Sequence, residues 1–274
     1  MRRGALLGAC LALSCAAFLP EPSTPSARPE RLLGSAHTSF ARGDLGLALD
    51  LSRQAEMEAV GFDDRETEIT AILARAGMYR WMAWDDSARA AAARGVSRAR
   101  EAGLPCLEVE GSLVLMAIDL GDSRGRTHSP QALERQCTNR LFRTRLRFMQ
   151  AREALANGDD GSAKRFLGRP RGIPKAARAE ITQEHRFLTA WLRSLRGRHQ
   201  DALSLADRVL AKDRAEGVKP AIVDDLLLLA RLHRAAGNDV RALDCTDRAI
   251  KVIESMRPQS LVARRLERTR ELLR

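Results

Sequence analysis

Apolar residues in the C-terminal third of the chain fall three, four and seven positions apart. Phe187, Leu188, Trp191, Leu192 and Leu195 form one such stripe, the spacing that gathers side chains on a single face of an α-helix. Arg196-Gly197-Arg198 interrupts it, because glycine takes turn geometries that a side chain resists. The helical phase then resumes with Ala202, Leu203, Leu205, Ala206, Val209 and Leu210. A second pair follows: Ile222, Leu226, Leu229, Ala230 and Leu232, then Gly237-Asn238, then Val240, Leu243, Ala249, Ile250 and Ile253. Asp or Asn after the turn glycine suits a helix N-terminus, where its side chain accepts bonds from free backbone amides. Period-two alternation, the mark of a half-buried strand, is missing.

The same helix–turn–helix phrase recurs along the chain. Gly43 precedes Ala48 by five residues, and the same step separates Ala83 from Ala88, Gly158 from Ala163, Gly197 from Ala202 and Gly237 from Ala242. A weaker copy at Gly121-Asp122 fills the one gap, so that six anchors lie 37 to 40 residues apart. Periods of this size mark stacked supersecondary units. Antiparallel helices joined by a short turn approach most closely beside it, and Ala or Gly lets the backbones meet without a clash. Ala, Leu and Arg are abundant and aromatics make up only 4%, which also favours helix. The expected fold class is all-α.

The turn glycine, the acidic or amide residue after it and the alanine together resemble the core of the tetratricopeptide repeat (TPR). Gly43-Asp44…Ala48, Gly158-Asp159…Ala163 and Gly237-Asn238…Ala242 carry the likeness. Further alanines recur at Ala55 and Ala249, and at Ala36, Ala151, Ala190 and Ala230. The likeness covers residues 30–256. It departs from the family in a period longer than roughly 34 residues, in replaced first-helix aromatics and in the missing proline at the end of each repeat. The resemblance implies a right-handed α-solenoid of about six TPR-like hairpins over residues 30–274. It also implies a concave groove that holds a protein or peptide partner.

Two stretches leave the pattern open. Between Ser129-Pro130 and Gly158 no strong breaker is visible, since Leu133, Cys137 and Leu141, then Phe142, Leu146 and Met149, stay in phase. Two helices, or one long helix over 130–157 with 121–129 as an exposed loop, both satisfy it. Arg169 to Pro174 reads as a turn-rich connector. After Pro258, a charged helix over about 259–273 is expected to cap the apolar end of the stack.

The N-terminus has the layout of an export signal over residues 1–19: a basic head at Arg2-Arg3, an apolar stretch from Gly4 to Ser14, and small residues at Cys15-Ala16-Ala17. The apolar stretch is shorter than the roughly 20 residues that span a bilayer. Leu11 to Cys15 resembles a bacterial lipobox, which implies lipidation of Cys15 and a membrane-anchored lipoprotein. Cleavage after Ala17 would instead give a soluble periplasmic or extracellular protein, and a spurious signal a cytoplasmic one. Residues 20–29 hold four prolines and form a semi-rigid linker. Cys106, Cys137 and Cys245 fall at apolar helical phases and are expected as buried free thiols. Export would also permit a Cys106–Cys137 disulfide, which no spacing rule supports.

The formal charge is +11. Lysine occurs only at 164, 175, 212, 219 and 251, so nearly all the positive charge is arginine, a bias that a GC-rich genome produces without selection for binding. The charge nevertheless concentrates: residues 140–178 hold eleven basic side chains against three acidic ones. Arg140, Arg143 and Arg147 share one helical face by steps of three and four. They are the candidate partner-binding residues, for an acidic peptide, lipid headgroups or nucleic acid. Nucleic acid is disfavoured if the chain leaves the cytoplasm. A solvated arginine face is the competing reading.

No pair of histidines lies four apart with a carboxylate, no cysteine pair has zinc spacing, and neither a phosphate loop nor a G-x-S-x-G elbow is present. No catalytic residue, metal site or cofactor is therefore expected. Asp85-Asp86 and Asp224-Asp225 sit near expected helix starts, where negative charge complements the helix dipole. Arg42-Gly43-Asp44 is explained by its place in the repeat. The expected function is a non-enzymatic protein–protein interaction scaffold, exported and lipid-anchored in the bacterial envelope. Long-period TPR-like arrays also accompany bacterial regulators and caspase-like proteases, which gives the alternative of a cytoplasmic regulatory arm.

Overall fold

A computed structural model describes residues 27–122 and 130–273. Among these residues there are thirteen α-helices, a final 3₁₀ turn and no strand. The helices pair as α1 (Arg28–Arg42) with α2 (Leu45–Gly61), α3 (Arg65–Trp81) with α4 (Asp85–Glu101), and α5 (Pro105–Asp122) with α6 (Pro130–Gln136). Then come α7 (Arg140–Ala156) with α8 (Asp160–Phe166), α9 (Lys175–Leu195) with α10 (His199–Glu216), and α11 (Lys219–Ala235) with α12 (Asp239–Glu254). A last helix, α13 (Gln259–Arg270), follows Pro258. The chain is an all-α solenoid of six helical hairpins, the fold class that the repeats predict.

The five strong anchors share one turn. Gly43 N–H donates to the Phe40 carbonyl (3.0 Å) and Asp44 N–H to the Ser39 carbonyl (2.9 Å). The same registry recurs at Gly158-Asp159, Gly197-Arg198 and Gly237-Asn238. It is a helix C-terminal reversal through one left-handed residue. Ala83 makes it at φ 63° without glycine, at a cost on the order of 1 kcal/mol. Ala48, Ala88, Ala163, Ala202 and Ala242 are all buried, as the close approach of the paired helices requires. Capping by the residue after the glycine holds only in part. Asp159 Oδ1 accepts from Ser162 N–H at 2.9 Å, but Asp44 and Asn238 make no side-chain cap bond. At Asp44 the first free amide, that of Leu45, donates instead to the Arg257 carbonyl (2.7 Å).

The third hairpin decides between the two open readings and corrects one expectation. A single long helix over 130–157 does not form: residues 137–139 are not helical, and Asn139 starts α7 by accepting the Leu141 N–H on its side chain (2.9 Å). Gly121 and Asp122 are the last two residues of α5, and the loop that the single-helix reading places over 121–129 lies, from 123 onward, outside the described residues. Cys106 and Cys137 are not free thiols but a disulfide with Cα atoms 4.9 Å apart; Cys245 alone among the described cysteines is free and buried. The reason is local. With seven residues, α6 buries little, and Val109, Leu113, Leu133, Phe142 and Leu146 form a small core separate from the main one.

The stack does not stay open. From α1 to α9 each odd-numbered helix packs against the next odd one, and α11 packs back on α1, so the six first helices form a closed cycle. The seam is tight. A Cβ on Gly43 would lie 2.9 Å from Met256 Cγ, Arg257 N–H donates to the Gly43 carbonyl (2.9 Å), and Asp44 and Arg257 form an isolated parallel bridge. The terminal helix α13 packs on α12, as a cap does, and it also clasps the ring: Arg265 reaches Asp224 of α11 (2.5 Å) and lies over Trp81 of α3 (5.3 Å), while Arg268 pairs with Asp85 of α4. Phe40 and Trp81 meet edge to face across the same region. Val240 and Leu243, read as lining residues of α12, are 82% and 41% exposed, because the second helices face outward.

Candidate functional site

Helix α7 carries arginine on two faces, and the tertiary structure gives the faces opposite fates. Arg145 and Arg152, seven apart, point inward and are buried. Arg145 pairs with Glu110 (3.5 Å) and Glu180 (3.7 Å). Arg152 donates to Glu184 Oε1 through Nε and Nη2 at 2.9 and 2.7 Å and stacks over Phe187. These two therefore leave the basic surface counted in the sequence.

Arg140, Arg143 and Arg147 occupy the other face and line an open cleft of about 370 Å³. The opposite wall is the connector from α8 to α9, which adds Gly168, Arg169, Pro170 and Arg171, and Phe148 and Phe166 complete the lining. The connector is pinned at both ends, since Leu167 and Ile173 are buried and the Leu167 carbonyl bonds His185 Nε2 at 3.0 Å. Gly172 takes φ +67°, and a Cβ there would lie 2.2 Å from Arg140 Nη1 and 2.8 Å from its Cδ. The Arg140 side chain thus lies across glycine backbone that no side chain obstructs.

Charge in the cleft is poorly compensated. Arg147 meets Glu134 at 3.6 Å with both side chains exposed, a pairing worth little in water. Arg143 donates through Nε to the Cys137 carbonyl (3.1 Å), which neutralises nothing. No acidic residue lines the cleft. Proximity of like charges raises the energy of the empty site, and an anion relieves it. No protein-family model matches this chain, and no curated protein is similar to it.

The three arginines chosen from the sequence are therefore brought together, and the structure adds Arg169 and Arg171. Helical spacing could not join those two to the stripe, because they come from a connector whose path depends on how hairpins four and five pack. Cys15, the export signal and residues 20–26 of the linker lie outside the described residues.

Asp224 and Asp225 correct the sequence reading. They do not serve the α11 dipole from its first turn but lie buried within the helix. Asp224 accepts from Arg265 and from Trp81 Nε1 (3.3 Å); burial still pushes its carboxyl up to about 7 against the pull of Arg265. Burial, then the charge of Asp213, raises Asp225 well above the usual carboxylate range. Arg231 stacks over Trp191 at 5.0 Å, and burial followed by repulsion from Arg152 lowers its guanidinium to about 10. Asp85 does open α4 as expected, and it also holds Arg268. Among the described residues no helix is long and apolar enough to cross a membrane.

Proposed function

We propose that this chain is a non-enzymatic protein–protein interaction scaffold of tetratricopeptide-type hairpins, exported and tethered to the bacterial envelope by a lipid on Cys15. Beside the concave groove, the basic cleft offers the partner a second contact, where Arg140, Arg143 and Arg147 hold an anionic group. The observation that carries this reading is the poorly compensated arginine cluster beside an anchored connector. Surface guanidinium groups without acidic neighbours are energetically primed for an anion, and hairpins locked to both neighbours lose little entropy when they bind.

Export has a separate support in the Cys106–Cys137 bond, because disulfides persist in oxidising compartments and are rare in the cytosol. That bond weighs against the cytoplasmic regulatory arm. A lipid on Cys15 would leave thirteen residues before α1 begins at Arg28, a reach of at most about 45 Å at 3.3–3.6 Å per residue. The ring would then stay close to the bilayer surface while remaining free to turn.

The test is made in the native host. Labelled palmitate is expected in the full chain and absent from Cys15→Ala. A partner recovered with the intact chain is expected to be lost on Arg143→Glu/Arg147→Glu. Full-length, unlabelled protein in the cytosol with Cys137 reduced would replace this reading with the regulatory arm.

A further inference from the structure

The geometry points to a phosphate-bearing group as the ligand of the arginine cleft, and we propose that it is a dedicated site for a phosphomonoester or diphosphate. This deepens the reading of Arg140, Arg143 and Arg147 as a partner site and rests on it.

Three features favour concentrated phosphate charge over an extended acidic peptide. The first is charge density. Five arginines face about 370 Å³ with no acidic residue in the lining, and Arg140, Arg169 and Arg171 form no ion pair among the described residues. A carboxylate on a peptide supplies one charge every few ångströms of chain, whereas a diphosphate brings two to three charges into one small volume. Guanidinium forks grip phosphate oxygens in bidentate fashion, and arginines converging from two walls reach such a group from both sides.

The second feature is shape. An extended peptide needs a long trough or a free strand edge to satisfy its own amides and carbonyls. Among the described residues there is no strand, and the cleft encloses only about 370 Å³. The third is that the walls are built in advance. Pro170 within the connector and Pro174 at its end restrict its backbone, Leu167 and Ile173 anchor it in the core, and the absent side chain at Gly172 lets Arg140 lie against it. An anchored connector holds the backbone of Arg169 and Arg171 in place before an anion arrives, which lowers the ordering cost of binding. The partly exposed ring of Phe166, backed by the buried Phe148, gives the cleft an apolar surface, suited to the organic part of an ester.

Two sources would present this chemistry: a phosphorylated lipid headgroup, within reach of a tethered ring, or a soluble phosphate compound. The experiment uses the full chain with inorganic pyrophosphate by titration calorimetry. Vesicles of phosphatidylcholine, with and without phosphatidic acid, are tested by co-sedimentation, and hexaglutamate serves as the acidic-peptide probe. The variant is Arg140→Ala/Arg171→Ala; the control with the same charge loss is Arg241→Ala/Arg264→Ala, both exposed and outside the cleft. Pyrophosphate affinity is expected to fall at least tenfold in the cleft variant and by less than threefold in the control. Cleft-dependent binding to phosphatidic acid vesicles would assign the source to lipid. Pyrophosphate binding without vesicle binding would assign it to a soluble compound, and both results support the site. Absence of pyrophosphate binding, or equal loss in the two variants, overturns it. Cleft-dependent binding of hexaglutamate without pyrophosphate overturns the phosphate site yet leaves the protein-scaffold reading standing.

Discussion

Single residues here have roles that their letters do not announce. Asp225 is a buried acid beside a second acid, Asp213, which accepts from Gln183 Nε2 at 3.1 Å. Burial raises both carboxyls, and the two charges repel. The sign follows from linkage. The folded pKa of Asp225 lies above its unfolded value, so the unfolded chain releases its proton first as pH rises, and stability declines above about pH 4 until the folded carboxyl also ionises. Each unit of elevation costs about 1.4 kcal/mol once both states are ionised. Asp225→Asn removes the titration and keeps a donor toward Asp213. Its melting temperature is expected to exceed wild type by more at pH 8 than at pH 5, with roughly 2–4 °C for each kcal/mol gained. An equal difference at the two pH values would show that this pair does not titrate as argued. The same scale shows how far one letter can be read. That Ala48 and its counterparts had to be small was legible, because a steric rule ties them to a turn five residues earlier. That Asp224 would hold an arginine of α13 was not, since its partner lies 41 positions away.

Individual helices were largely legible, and the failures have a common cause. Long second helices such as α2, α4, α10 and α12 carry an apolar stripe that fixes their extent. Helices α6 and α8 have seven residues each, too few for a periodicity to establish itself. The break between α6 and α7 is made by a single cap at Asn139, which a search for Gly and Pro passes over. The disulfide compensates for the small core around α6. A cross-link closing a loop of 31 residues restricts the unfolded chain by about 3–4 kcal/mol in the loop-entropy account. Cys106→Ser/Cys137→Ser is therefore expected to lower the urea midpoint and to increase hydrogen exchange in α5, α6 and the first turns of α7. Unchanged exchange in those helices would mean that the small core suffices alone. The cleft is an element-scale product as well: one wall is the outer face of α7, which the sequence marks, and the other is a connector whose arginines belong to it only by position.

At the scale of the molecule, closure is the main fact that the repeats did not announce. A solenoid keeps a nearly constant rotation per unit, and whether six units return to the start depends on a few degrees at each interface, a quantity that no repeat spacing encodes. The clasp predicts long-range coupling. Deleting residues 258–274 removes Arg265 from Asp224 and Arg268 from Asp85, so that Asp224 loses the cation that most opposes the rise of its carboxyl. Hydrogen exchange should then rise in α1 and α3 as well as in α11 and α12. Faster exchange confined to α12 would reduce α13 to an ordinary end cap.

The amino-acid order by itself determined the helices, their pairing and the alanine contacts beneath each turn, because these depend on neighbours within about a dozen residues. It also marked Arg140, Arg143 and Arg147 as one face. Only the tertiary structure decided which arginines are buried in ion pairs and which stay bare, that Arg169 and Arg171 join the stripe, that Cys106 bonds Cys137, and that the last helix grips the second hairpin. Each of those outcomes requires distant segments to meet. Such meetings are set by summed packing angles and by the electrostatics of burial, neither of which has a period to read.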